Sequence, residues 1–184
     1  QAVESKITKN TKAIMPVHGN GRTCTMDPLE ELAKKYNLMI VEDAAQALGS
    51  KYKGKNAGTF GKFGTYSFYP AKVLGCFGDG GAIVTNDDTV ANQLSILRDH
   101  GRDKNGRVTA WGTNSRLDNL QAAFLNFKLK TLDQDIEKRR EIARKYHEAF
   151  INIKEIDLPP GPDEDSQHFD IYQNYELAAD RRDE

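Results

Sequence analysis

Leu38, Met39, Ile40 and Val41 run without a break into Glu42 and Asp43. An apolar run that ends on two carboxylates constrains this chain more than any other feature. A continuously apolar strand is covered on both faces, the habit of a parallel sheet inside an α/β fold. A carboxylate at its carboxyl end stands where such sheets bind ligands. The upstream residues agree. Asp27 suits a helix N-cap and Pro28 a first helical position. Leu29, Leu32, Ala33 and Tyr36 then recur at helical spacing, and Asn37 is a plausible stop. Residues 11–17 read as a preceding strand. Strand, helix and strand make a βαβ unit, whose crossover is expected to be right-handed.

The rest of the chain continues the α/β pattern. Residues 18–22 are a turn-rich loop, and residues 49–64, rich in Gly and Lys, read as loop. Residues 63–68 read as a short strand. Gly78-Asp79-Gly80-Gly81 is a tight-turn signal followed by a strand over 82–85. Asp87-Asp88 offers a cap for a helix carrying Val90, Leu94 and Leu97. Residues 98–113 are polar and loop-like, with Trp111 the one large apolar residue. Helical spacing returns over 117–132 through Leu120, Ala123, Phe124, Phe127 and Leu129. A long charged helix follows over 133–150, with Ile136, Ile142, Ala143 and Tyr146 along one face. Pro159-Pro160-Gly161-Pro162 breaks the chain and is the best domain boundary. Residues 172–178 read as a strand, ahead of the charged end Arg181-Arg182-Asp183-Glu184. No internal repeat is visible.

Composition excludes several function classes. The 184 residues carry 26 basic and 27 acidic side chains, a formal charge of -1, so nothing favours nucleic acid or an anionic membrane. The cluster Lys138-Arg139-Arg140 lies between Glu137 and Glu141 and reads as a solvated helix face. No apolar stretch is long enough to span a bilayer, and the first residues show no signal-peptide pattern. Cys24 and Cys76 form neither a metal spacing nor a disulfide framework. Reduced thiols fit a cytoplasmic protein. His18, His100, His147 and His168 form no zinc motif. Gln1 is not an initiator, and a strand begins almost at once, so a fragment of a longer protein is expected.

The chemical residues have two readings each. Asp43 is either a ligand carboxylate beyond a strand end or the N-cap of a helical turn begun by Ala44-Ala45. Gln46 either faces the same ligand or completes a capping box with Asp43. Lys72 sits among Phe68, Tyr69, Val73 and Leu74. In so apolar a setting a lysine tends toward the neutral, nucleophilic amine; the alternative is a surface lysine lying along apolar neighbours. Ser67 either donates to a phosphate oxygen or is structural, and His18 either lines the cleft or is a structural loop histidine. Together Lys72 and Asp43 supply what pyridoxal phosphate requires. An amine must condense with its aldehyde, and a carboxylate must keep its ring nitrogen protonated.

Five segments carry a resemblance. Glu42-Asp43-Ala44-Ala45-Gln46, Ser67-Phe68-Tyr69-Pro70-Ala71-Lys72, residues 78–85, Arg98-Asp99-His100-Gly101 and residues 112–118 resemble, in order and spacing, the DegT/DnrJ sugar aminotransferases. The resemblance covers residues 13–150. It implies the large domain of a type I pyridoxal phosphate transferase over residues 1–150, with a mostly parallel sheet and flanking helices. Residues 151–184 would be the linker and the start of a C-terminal small domain. By this similarity Lys72 is the Schiff-base lysine, Asp43 pairs with the ring nitrogen, Gln46 lies near the ring oxygen and Ser67 binds phosphate. Asn114 would reach the phosphate in the partner subunit of a homodimer. Relatives that dehydrate carry His in place of the lysine, so Lys72 points to amino transfer.

The expected activity is therefore transfer of an amino group, with glutamate as donor, to a keto group on a nucleotide-linked sugar. The rival is a non-catalytic cofactor-binding or regulatory fragment, because the family's N-terminal phosphate-binding turn and ring-stacking aromatic have no counterpart here. A nicotinamide-binding Rossmann domain is excluded by the lack of a G-x-G-x-x-G between a first strand and a helix.

Overall fold

The computed structural model describes residues 2–179 and Arg182. β1 (Ala13–Ile14) leads through α1 (Asp27–Tyr36) to β2 (Met39–Asp43), the expected βαβ unit, with β1 and β2 parallel. Pro28 is in the first turn, and Asn37 closes the helix in the left-handed region at φ 52°. The N-cap itself is Met26, and no side chain caps there. Asp27 instead pairs with Lys53 across the surface. Leu29, Leu32 and Ala33 pack on Ile14, Met26, Ile40 and Tyr52. Tyr36 does not join them: it is exposed, and its hydroxyl donates to Glu4 Oε1 at 2.9 Å.

Residues 49–64 are not all loop. They contain a small antiparallel hairpin, β3 (Lys51–Tyr52) and β4 (Lys55–Asn56), turned by Lys53 and Gly54, both at positive φ. β5 (Phe63–Ser67) then lies parallel to β2, and β6 (Gly81–Val84) antiparallel to β5. The main sheet runs β1-β2-β5-β6, parallel except at its β6 edge. α2 (Asp88–Leu97) is capped as expected: the Asp87 side chain accepts from the amides of Thr89 and Val90.

α3 (Asn119–Leu129) and α4 (Leu132–Phe150) present different faces from those read in the sequence. α3 buries Leu125, while Leu120, Phe127 and Leu129 are exposed. α4 buries Ile136, Arg140 and Ala143, spaced one turn apart, and turns Ile142 and Tyr146 outward. The basic cluster is therefore not wholly solvated. Arg140 is 3% exposed, pairs with Asp163 and donates to the Asp170 carbonyl at 2.9 Å.

That arginine holds the last segment against the body. β7 (Ile156–Asp157) pairs with β9 (Ala178–Ala179), and β8 (His168–Phe169) adds to β3. Arg22 pairs with both Asp165 and Asp170. Ile171 is fully buried beside Val73 and Ile136. Residues 172–177 are not the expected strand. Tyr172 has φ 49°, which no extended strand allows. The charged end, apart from Arg182, lies outside the described residues.

Candidate active site

β2 and β5 are hydrogen-bonded neighbours, with Asp43 in register with Thr65. Asp43 ends β2 and Ser67 ends β5; Gln46 and Lys72 lie in the loops that follow. Four of the five predicted residues thus leave the carboxyl ends of one parallel strand pair, the ligand-binding end of such sheets. Asn114 belongs elsewhere. It lies on the exposed loop between α2 and α3, bridges Asp99 by its backbone and accepts from Arg116 Nε at 3.1 Å.

The Asp43 backbone is tied to the first loop on both sides. Its amide donates to the Pro16 carbonyl at 3.0 Å and its carbonyl accepts from His18 N at 2.9 Å. Its Oδ1 accepts from the Ala45 amide at 3.0 Å, closing a local turn, and no helix follows, so the N-cap reading fails. Oδ2 has no partner among the described residues. The capping box fails too. Gln46 Oε1 accepts from the Asn20 amide at 2.7 Å, far along the chain from Asp43. Because the carboxamide oxygen is thus fixed, its NH2 is the group left to donate.

Ser67 Oγ accepts from the Tyr69 amide at 3.2 Å, which leaves its hydroxyl proton to donate. Lys72 sits in a tight turn, its amide donating to the Tyr69 carbonyl at 2.9 Å. The lysine is half-buried, next to buried Val73 and Leu74, and Nζ has no partner among the described residues. Gly75 makes this turn possible. A Cβ there would stand 2.6 Å from the Pro70 carbonyl oxygen and 2.7 Å from that of Tyr69. Cys76, buried, then ties the loop back through its amide to Phe68 O at 2.8 Å.

Sequence reading missed the residue that organises this end of the sheet. Glu42 is fully buried and accepts four hydrogen bonds. Gly58 N (2.7 Å), Phe60 N (2.6 Å), Gly61 N (2.6 Å) and His18 Nε2 (2.9 Å) converge on its two oxygens. The signal was available in the strand period. Ile40 and Glu42 share one face of β2, and a carboxylate in phase with a core isoleucine must be paired. His18 is accordingly structural. The Cys24 amide donates to its Nδ1 at 3.0 Å, so Nε2 carries the proton given to Glu42. Burial would raise the Glu42 carboxyl. The His18 donor and the amides of Gly61 and Gly58 outweigh it, and the group lies below its ordinary value.

Glu42→Gln is expected to destabilise the protein by about 2–4 kcal/mol, because a carboxamide turns an NH2 toward donors in a buried site. Urea unfolding with unchanged slope measures it. The sign with pH follows from the lowered carboxyl. Its contribution is complete above the ordinary carboxylate range and is lost as pH falls through the folded value. The gap between wild type and variant should therefore narrow in acid. A gap that widens below pH ~4 contradicts the assignment.

Known proteins share this sequence and fold. The model of the DegT/DnrJ/EryC1/StrS aminotransferase family matches residues 1–184. A dTDP-3-amino-3,4,6-trideoxy-alpha-D-glucose transaminase of Streptomyces venezuelae is 43% identical over 183 residues, 99% of this chain and 47% of that protein. A Geobacillus stearothermophilus "pleiotropic regulatory protein" is 42% identical over 182 residues, 99% of this chain and 49% of that one. The crystal structure of S. venezuelae DesV in complex with a ketimine intermediate superposes with a TM-score of 0.92 at 41% identity, over 98% of this chain and 48% of that one. The chain spans about half the length of the curated relatives it matches. With residues 1–184 under the family model and relatives 42% and 43% identical along 99% of its length, the chain belongs to the DegT/DnrJ/EryC1/StrS aminotransferase family.

Proposed function

We propose that the full-length protein is a pyridoxal phosphate-dependent aminotransferase. It would move an amino group from an amino acid, with glutamate as the donor, to the keto group of a nucleotide-linked sugar. One observation carries this reading. A carboxylate oxygen, a carboxamide NH2, a hydroxyl proton and a primary amine, none of them engaged by the described residues, leave the same end of β2 and β5. That donor set fits a pyridine ring bearing an aldehyde, a ring oxygen and a phosphate.

The cofactor supplies an electron sink for a carbanion. With the cofactor bound, Asp43 Oδ2 would hold a proton on the ring nitrogen, Gln46 Nε2 would donate to the ring oxygen and Ser67 would donate to the phosphate. Lys72 Nζ would hold the aldehyde and would be the base that takes the proton from the donor α-carbon. The sugar-nucleotide part of the reading draws on the transaminase named above.

A homodimer belongs to the same proposal, with Asn114 serving the partner subunit's site. Its exposed position on the loop between α2 and α3 supports this, as do the exposed Leu120, Phe127 and fully exposed Trp111. The proposed division has residues 1–150 in the cofactor-binding domain and 151–184 opening a small domain, inside a cytoplasmic enzyme.

The name of the Geobacillus relative favours a second reading, a cofactor-binding regulatory protein without turnover. Glutamate separates the two. Full-length protein loaded with pyridoxal phosphate should show a visible band that shifts on adding glutamate and returns on adding a keto sugar nucleotide. A band that glutamate leaves unmoved supports the regulatory reading. The 184-residue chain alone should bind pyridoxal phosphate weakly and turn nothing over. Phosphate affinity comes largely from amides at a helix N-terminus, and α1, the one α-helix before Asp43 among the described residues, carries Asp27 and Glu30 in its first turn, which disfavour an anion there. Tight, saturable binding with turnover by this chain would refute that expectation.

A further inference from the structure

The Lys72 loop is held by a residue 101 positions further on. Gln173 Nε2 donates to the Ala71 carbonyl at 3.0 Å, and Gln173 Oε1 accepts from the Val73 amide at 3.1 Å. One carboxamide therefore bonds the main chain on both sides of the lysine, leaving Lys72 itself untouched. We propose that Gln173 is a positioning residue for Lys72, fixing the backbone from which its amine is aimed. This rests on the role of Lys72 proposed above.

The clamp is itself anchored. Arg139 Nη1 donates to the carbonyls of Tyr172 (3.2 Å) and Gln173 (3.3 Å). The Ile171 amide donates to Gly21 O at 2.9 Å, and the Asn174 amide to Asn20 O at 3.4 Å. Gly21, at φ 91°, lets the two segments touch: a Cβ there would lie 2.6 Å from Gln173 N. Tyr172 takes the left-handed φ of 49° although it is aromatic and buried, a conformation kept only where surroundings impose it. Asn20, which bonds this segment, also donates its amide to Gln46. Residues 171–174 thus brace both the lysine loop and the loop that orients Gln46. A glutamine is suited to the role because a single planar group offers one donor and one acceptor to a peptide pair.

The test uses the full-length protein. In Gln173→Leu both bonds are lost, whereas Gln173→Glu keeps the acceptor for Val73 and loses the donor for Ala71. Hydrogen exchange at the Val73 amide should speed up about tenfold in the leucine variant and stay near wild type in the glutamate variant. The kcat with glutamate should fall about tenfold in the leucine variant, with KM for the donor within about twofold. Unchanged Val73 exchange in the leucine variant overturns the clamp. So does faster exchange with kcat within about twofold of wild type. The role of Lys72 is checked separately. Protein loaded with pyridoxal phosphate, reduced with borohydride and peptide-mapped, should be tagged at Lys72. A tag on another lysine refutes the underlying reading whatever the exchange shows; a tag on Lys72 with unaffected clamp variants refutes the clamp alone.

Discussion

Lys72→Ala is expected to abolish amino transfer and leave the fold intact. Nothing among the described residues rests on Nζ, and the turn that carries it is closed by main-chain bonds that alanine preserves. The neighbours that pack, Val73 and Leu74, keep their places in the core. The loss is chemical. In the proposed mechanism the amine is both the group that binds the aldehyde and the base that moves the proton, so turnover should fall at least about a thousandfold. Lys72→Arg should do no better, because guanidinium neither condenses with an aldehyde nor gives up a proton at neutral pH. Single-turnover measurement with glutamate checks the result. A Lys72→Ala protein that still turns over within about tenfold of wild type would remove the lysine from the mechanism.

Asp43→Asn should cost about a hundredfold or more in kcat/KM, roughly 3 kcal/mol of transition-state stabilisation, with unfolding free energy changed by under about 1 kcal/mol. The two outcomes separate because the two oxygens do different things. Oδ1 accepts from Ala45 N, and an asparagine oxygen accepts equally well, so the turn survives. In the proposed site Oδ2 serves the ring nitrogen; an NH2 in its place could not hold a proton there, and the electron sink would weaken. Steady-state kinetics beside urea unfolding makes the comparison. Near-normal activity in a well-folded Asp43→Asn protein would rule out the role.

What the sequence made legible follows from range. Asp87 capping α2, Asn37 ending α1 and the turn before β6 are decided within a few residues, and local chemistry suffices to read them. The Glu42-to-Gln46 and Ser67-to-Lys72 segments were readable as strand ends because each follows a recognisable strand. The misreadings are long-range. Arg140 looked solvated beside Glu137 and Glu141, yet its partners Asp163 and Asp170 lie beyond a proline-rich break. Gln46 looked like half of a capping box until Asn20 claimed its oxygen. The β3–β4 hairpin is only two residues deep on each side and is completed by β8, more than a hundred positions later. The helix faces of α3 failed for a related reason. An apolar stripe tells that a face is covered, not which neighbour covers it, and here Leu120 and Phe127 have no cover within the described residues.

The clasp between Gln173 and the lysine loop also sets an order of events during synthesis. Ribosomes add about 5–20 residues per second, so the 101 positions between Lys72 and Gln173 take about 5–20 s to make. For that interval the nascent βαβ unit exists with its lysine loop unbraced. The Arg22 partners Asp165 and Asp170 emerge just before Gln173, so the closing segment arrives as one piece. A premature stop between Asp118 and Gln173 would release a chain with every motif residue present and the loop bearing its amine unsecured.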